Sequence, residues 1–77
     1  MTELLKALAQ GLVEKPEEVS VVADGPNSEG VTVLHLHVAS SDMGRVIGRQ
    51  GRIAKAIRSI MRGAAVRAGQ RVIVEID

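Results

Sequence analysis

Residues 46–57 read Val-Ile-Gly-Arg-Gln-Gly-Arg-Ile-Ala-Lys-Ala-Ile, and this stretch contributes most to the prediction of the fold. An apolar pair leads into a Gly-x-x-Gly turn, which runs directly into an amphipathic basic helix. Gly48 and Gly51 have no Cβ atom, so we expect both to permit positive φ and a close approach to the backbone. The following helix offers unpaired N–H groups and the positive end of its dipole. With Arg49 and Arg52 beside it, the turn is predicted to face a phosphate; a helix cap without a ligand is the alternative interpretation.

The segments before this stretch predict a helix and two strands. Leucines at helical spacing indicate a helix from Thr2 to Lys15, which Pro16 ends. Short strands are predicted at 19–23 and 31–39, separated by turn-forming residues. In the second strand, alternate positions are apolar, which is typical of a strand with one buried face: Leu34, Leu36 and Val38 on one side, Val33, His35 and His37 on the other.

The remaining chain predicts two helices and a last strand. Ser40 or Ser41 is expected to cap a short helix through Ile47. The glycine turn interrupts it, a longer helix follows over 52–68, Gly69 stops that helix, and a strand covers 71–77. The order α-β-β-α-α-β predicts a single two-layer α+β domain over 1–77. Its three-stranded mixed sheet has helices on one face, because the helical connection is long enough for a parallel crossover.

Composition excludes several kinds of protein. The chain of 77 residues has no cysteine, so neither a disulfide framework nor a thiolate metal site is available. It has no Phe, Tyr or Trp, which excludes the aromatic platforms on which many nucleic-acid-binding sheets stack bases. No apolar run approaches the roughly 18 residues of a membrane span. The acidic start Met-Thr-Glu lacks the layout of a signal peptide, and we expect a cytoplasmic protein without membrane attachment.

Charge is strongly segregated along the sequence, although the net charge is only +1. All nine Asp and Glu residues lie outside 43–74, whereas eight of the ten Lys and Arg residues lie inside it. A chain of this kind can present a basic face to a polyanion and remain soluble. An ordinary solvated helix face is the alternative.

The motif Ile47-Gly48-Arg49-Gln50-Gly51, followed by a helix patterned with Ile and Ala, resembles the signature of the KH RNA-binding domain. The sequence from Arg45 to Met61, together with the chain length, resembles that of the small bacterial KhpA family, and the resemblance extends over essentially the whole chain. The element order is similar to that of type II KH domains. The chain has Arg49 where many KH loops have lysine, and Ala54 where a large aliphatic residue is usual.

This resemblance implies a non-enzymatic protein that clamps short single-stranded RNA with its glycine loop and an aliphatic groove. It further implies an RNA chaperone or post-transcriptional regulator. The residues expected to bind RNA are Arg45, Val46, Ile47, Gly48, Arg49, Gln50, Gly51, Arg52, Ala54, Lys55 and Arg58. For the aliphatic ones, and for Leu36 as a further candidate, packing in the protein's own core is the competing interpretation.

The apolar side of the long helix suggests a partner. Ile53, Ile57 and Ile60 share one broad side at helical spacing, and we expect them to contact a second subunit. KhpA-like proteins are similar in being associated with self-pairing or with a larger KH-domain protein, so a homodimer or such a heterodimer is expected. An entirely internal core is the alternative.

Other chemistry finds little support in the sequence. His35 and His37 do not complete a zinc site by themselves, and an exposed sheet face accounts for them, with RNA or partner contact as the minor alternative. The glycines form neither a Walker loop nor a dinucleotide fingerprint, so we expect no enzyme, no cofactor and no metal. A protein-interaction module on a KH scaffold and a binder of single-stranded DNA remain the alternative functions.

Overall fold

A computed structural model describes residues 1–76 of the chain, except for the side chains of residues 49 and 50. The chain forms, in order, helix α1 (Thr2–Gln10), a 3-10 turn (Pro16–Glu18), strands β1 (Ser20–Asp24) and β2 (Val31–His37), helix α2 (Ser40–Arg67) and strand β3 (Arg71–Ile76). Strand β1 lies within one residue of the predicted strand, and β3 begins at the predicted residue, with residue 77 outside the described part of the chain. Strand β2 ends at His37 instead of residue 39.

The three strands form one mixed sheet with β2 in the middle. β1 runs antiparallel to β2, with Ser20 opposite His37. β3 runs parallel to β2, with Val31 opposite Arg71, because α2 carries the chain back across the sheet. Both helices pack on the same face, which confirms the predicted α+β class and the mixed sheet covered on one side.

Gly51 divides the long helix α2. The helical hydrogen-bonded run is continuous from Ser40 to Arg67, but Gly51 has a φ of 67°. That value lies in the left-handed region, which glycine adopts without the steric cost other residues have. The two predicted helices are therefore the two arms of α2 on either side of Gly51, and the predicted order α-β-β-α-α-β is confirmed. The two arms therefore meet at a single left-handed residue. Because one helix continues through this position, the second arm does not begin with the unpaired N–H groups expected of a separate helix, and that part of the prediction is wrong.

Helix α1 ends earlier than the leucine spacing predicts. It stops at Gln10, with Gly11 as its C-cap, and the predicted extension to Lys15 is wrong. The backbone N–H groups of Glu14 and Lys15 donate to the two carboxylate oxygens of Asp42, each at 3.1 Å. These N–H groups are therefore engaged by a distant side chain instead of by helix carbonyls.

The start of α2 also differs from the prediction. Ala39 is the N-cap residue and no side chain caps the helix, so the expected cap by Ser40 or Ser41 is wrong. The N–H groups of Asp42 and Met43 donate to the Ala39 carbonyl at 2.8 and 3.0 Å. Asp42 places a negative charge in the first turn, where the helix dipole favours it.

The core lies between the sheet and the two helices. Leu34, Leu36 and Val38 are buried, whereas His35 is half-buried and His37 is exposed, which confirms the predicted alternation. The helices contribute buried apolar side chains to this core: Leu5 and Ala9 from α1, and Val46, Ala54, Ile57 and Met61 from α2.

Candidate nucleic-acid interface

A cleft of about 700 Å³ opens where the two arms of α2 meet. Its lining consists of Gly44, Arg45, Gly48, Arg52 and Ile53, and we call it the glycine cleft. Gly44 and Gly48 lie one helical turn apart on the first arm, and Arg52 and Ile53 begin the second arm directly after Gly51. The bend at Gly51 therefore brings two arginines and two glycines around one concave surface.

The glycines of the cleft are not required by the protein's own packing. Apart from its chain neighbours and the helix's own backbone, a Cβ atom added at Gly44, Gly48 or Gly51 would meet no described atom within 4 Å. Of the two glycines expected to permit positive φ, Gly51 adopts one and Gly48 does not. Glycine within a helix costs about 0.5–1 kcal/mol relative to alanine. Gly44 and Gly48 therefore weaken the fold without relieving any internal contact.

Basic side chains continue from the cleft along the second arm. Arg52, Lys55, Arg58 and Arg62 are all exposed, while Ala54, Ile57 and Met61 of the same arm are buried. Among the described carboxylates, none lies within 4 Å of these four cations. The arm therefore presents a row of solvated positive charge that begins at the glycine cleft.

Two of the predicted groove residues belong to the core. Val46 is 1% exposed and Ala54 is 4% exposed, and Leu36 is fully buried as well, so the core interpretation describes all three. All three side chains belong to the core between the sheet and the helices, which leaves no surface for a base. Ile47 is instead 50% exposed and Ile53 half-buried, and these supply the apolar surface near the cleft.

Arg49 and Gln50, the variable residues of the Gly-x-x-Gly motif, carry side chains that lie outside the described part of the structure. Their expected contacts with a phosphate backbone stay predictions.

Of the three residues predicted to contact a second subunit, Ile53, Ile57 and Ile60, one is buried in the core. Ile57 is 1% exposed and packs in the core, so it is not available to a second subunit. Ile60 is 48% exposed and Ile53 is half-buried. These two lie two helical turns apart on the same side of the second arm, so an exposed apolar strip remains.

The histidine pair lies on the uncovered sheet face. The Nε2 atom of His35 is 4.0 Å from an Oδ2 atom of Asp24 across the β1–β2 pair. No cluster of three potential metal-ligating side chains occurs among residues 1–76 where side chains are described. Within the same part of the chain, neither helix has the length and apolar character to cross a membrane.

Sequence analysis missed three residues around the cleft. Gly44 could have been found from its spacing of four residues from Gly48, which removes side chains from one helix face. Glu14 and Asp42 could not be found from local sequence patterns, because their partners are distant in the sequence. Oε1 of Glu14 accepts a hydrogen bond from Nη2 of Arg45 at 2.6 Å, 31 residues away. Oδ1 of Asp42 accepts one from the backbone N–H of Glu14, 28 residues away.

Comparison with known proteins identifies the family. The family model described as KhpA/KhpB, KH domain, matches residues 2–76. The chain is 50% identical to RNA-binding protein KhpA of Clostridium acetobutylicum over 76 residues, 99% of each chain. It is 47% identical to RNA-binding protein KhpA of Clostridium perfringens, again over 99% of each chain.

A solved structure supports the fold. The chain resembles a crystal structure of Aquifex aeolicus Era with a TM-score of 0.66 and 20% identity, over 97% of this chain. The match spans 28% of the Era chain, and at this identity it concerns the fold alone. The family match over residues 2–76 and the full-length relatives show that the chain belongs to the KhpA/KhpB family of KH domains.

Proposed function

We propose that this chain binds short single-stranded RNA by holding the sugar–phosphate backbone against the glycine cleft. The observation that carries the proposal is the bare helical surface at Gly44 and Gly48, where an added Cβ atom would meet no described atom of another part of the protein within 4 Å. Because these glycines lower stability without an internal benefit, a ligand that comes close to the backbone accounts for them. The arginines at the rim make an anionic strand the best candidate.

The neighbouring side chains suggest how the strand is held. Arg52 and Arg45 would contact phosphates at the cleft, with Arg49 and Gln50 beside them. Such contacts position a strand without reading its sequence. Lys55 and Arg58 would attract the next phosphates along the second arm. We therefore expect binding with little base preference, which weakens steeply as salt is raised.

Exposed aliphatic side chains would receive the bases. Ile47 is half-exposed at the end of the first arm, and Ile53 lines the cleft at the start of the second. The chain has no aromatic residue, so aliphatic contact replaces stacking on rings. KH domains typically hold about four nucleotides, which sets the length of strand that one domain would bind.

Relatives support the same class of ligand. The Clostridium proteins that match over 99% of their length are named RNA-binding proteins. We propose a role as an RNA chaperone or post-transcriptional regulator in the cytoplasm, without catalysis.

A titration of fluorescently labelled single-stranded RNA, followed by anisotropy, tests the proposal. The double variant Arg49→Asp and Gln50→Asp should keep the fold and lose detectable binding, because it replaces one positive charge with two negative charges in the Gly-x-x-Gly motif. The matched control, Arg67→Asp with Gln70→Asp, makes the same charge change at two exposed residues outside the cleft and should lose far less affinity. Unchanged affinity of the Arg49/Gln50 variant would refute the proposed site.

The same titration with DNA of matched sequence tests the alternative ligand. Equal affinity for the RNA and the DNA would favour a general binder of single strands, since a protein distinguishes RNA from DNA by contacts with the 2′-hydroxyl group.

A protein-interaction role has one specific observation in its favour. Ile60 is 48% exposed, and with Ile53 it forms an apolar strip on the second arm. We propose that this strip contacts a second copy or a larger KH-domain protein. Ile60→Asp should then yield a monomer in light scattering, whereas Val66→Asp, at a more exposed position on another side of α2, should not. A wild-type protein that is monomeric at high micromolar concentration would remove the homodimer.

A further inference from the structure

One arginine of the glycine cleft already has an anionic partner inside the protein. Nη2 of Arg45 donates to Oε1 of Glu14 at 2.6 Å. Both side chains are substantially exposed, so the pair lies at the rim of the cleft and not in the core. Among the described side chains, Arg45 is the cleft arginine that forms an ion pair, and Arg52 does not.

The fold holds Glu14 in this place through Asp42. The two carboxylate oxygens of Asp42 accept the backbone N–H groups of Glu14 and Lys15, each at 3.1 Å. Asp42 is itself buried and lies three residues before Arg45 on the first arm of α2. The backbone that carries Glu14 is therefore fixed against the helix turn that carries Arg45. The buried carboxylate of Asp42 thus holds the backbone from which the exposed carboxylate of Glu14 reaches Arg45.

A phosphate and the Glu14 carboxylate compete for the same guanidinium. Both are anions that seek the N–H donors of Arg45. A strand that uses Arg45 must either displace Glu14 or place a phosphate beside a like charge, and each of these lowers the affinity. Arg52 carries no such cost, because no described carboxylate pairs with it.

We infer that Glu14 is an internal competitor for RNA at Arg45, which limits the affinity of the cleft for nucleic acid. This inference rests on the proposed function and assigns a regulating residue to the same site. A phosphate that contacts Arg45 must therefore displace the Glu14 carboxylate or lie beside its negative charge. The structural carboxylate of Asp42 keeps the competitor in position.

Removing the charge of Glu14 tests the inference. Glu14→Gln should lower the dissociation constant for labelled single-stranded RNA by about two- to fivefold, the range that exposed ion pairs support. Glu18→Gln removes the same charge at a nearby exposed residue that does not line the cleft, and should change the affinity much less. Far-UV circular dichroism of each variant verifies the fold.

A double-mutant cycle separates the specific effect from general electrostatics. In an Arg45→Gln background, Glu14→Gln should no longer tighten binding, because the contested guanidinium is absent. An equal gain with and without Arg45, or a gain no larger than that of Glu18→Gln, would overturn the inference while leaving the proposed function standing. A wild-type chain that binds no single-stranded RNA would overturn both.

Discussion

Replacing Gly48 by alanine should change stability and RNA binding in opposite directions. The residue lies in the first arm of α2 without a positive φ, and an added Cβ atom would meet nothing within 4 Å. Alanine should therefore stabilise the fold by the helix-propensity difference, about 0.5–1 kcal/mol. For a domain of this size, that corresponds to a rise of a few degrees in the melting temperature.

The same methyl group would stand between the helix backbone and a bound strand. If the displaced strand loses one hydrogen bond between a phosphate and an arginine of the cleft, about 1.5–3 kcal/mol of binding free energy is lost, so the dissociation constant should rise by roughly 10- to 150-fold. Far-UV circular dichroism measures the melting temperature, and anisotropy measures the affinity.

Gly63 offers a matched control on the second arm. A Cβ atom there also meets nothing within 4 Å, but Gly63 does not line the glycine cleft. Gly63→Ala should raise the melting temperature similarly and leave RNA affinity unchanged. If Gly48→Ala binds RNA as the wild type does, or if both variants lose affinity equally, the reasoning from the bare helix surface is wrong.

Three further predictions concern the elements around the cleft. Asp42→Asn should destabilise the fold by about 1–3 kcal/mol, because its buried carboxylate accepts two backbone N–H groups and the new NH2 group accepts none; an unchanged urea midpoint would contradict this. Gly51→Ala should lower stability by about 1–2 kcal/mol, the opposite sign from Gly48→Ala, since Gly51 has a φ of 67°; a higher melting temperature would show that the bend relaxes. Arg52→Gln should weaken binding uniformly across RNA sequences and reduce the slope of log Kd against log salt by roughly 0.7, the value for one phosphate contact on a single strand; an unchanged slope would remove Arg52 from the phosphate-binding set.

Local patterns were enough to predict the architecture. The alternation through Leu34 and Leu36 identified the buried face of β2, and the Gly-x-x-Gly motif located the bend that Gly51 makes in α2. These signals are local, because periodicity and a left-handed glycine depend on neighbouring residues alone.

The errors came from contacts between distant segments. Beyond the end of α1, the N–H group of Glu14 donates to Asp42, which lies 28 residues further along the chain. Helical periodicity placed Ile57 and Ile60 on the same broad side, but only the packing of α2 on the sheet decides that one is buried and the other half-exposed. The burial of Val46 has the same origin, since the packing of the first arm places its side chain in the core.

The most direct test of the account is a titration of isotopically labelled protein with single-stranded RNA, followed by amide chemical shifts in NMR. If the glycine cleft holds the strand, the largest changes should fall on the amides of Gly48, Gly51, Arg52 and Ile53, and the amides of Val22 and Ile73 on the uncovered sheet face should move little. Shifts concentrated on that sheet face, with the cleft amides unchanged at saturating RNA, would contradict it.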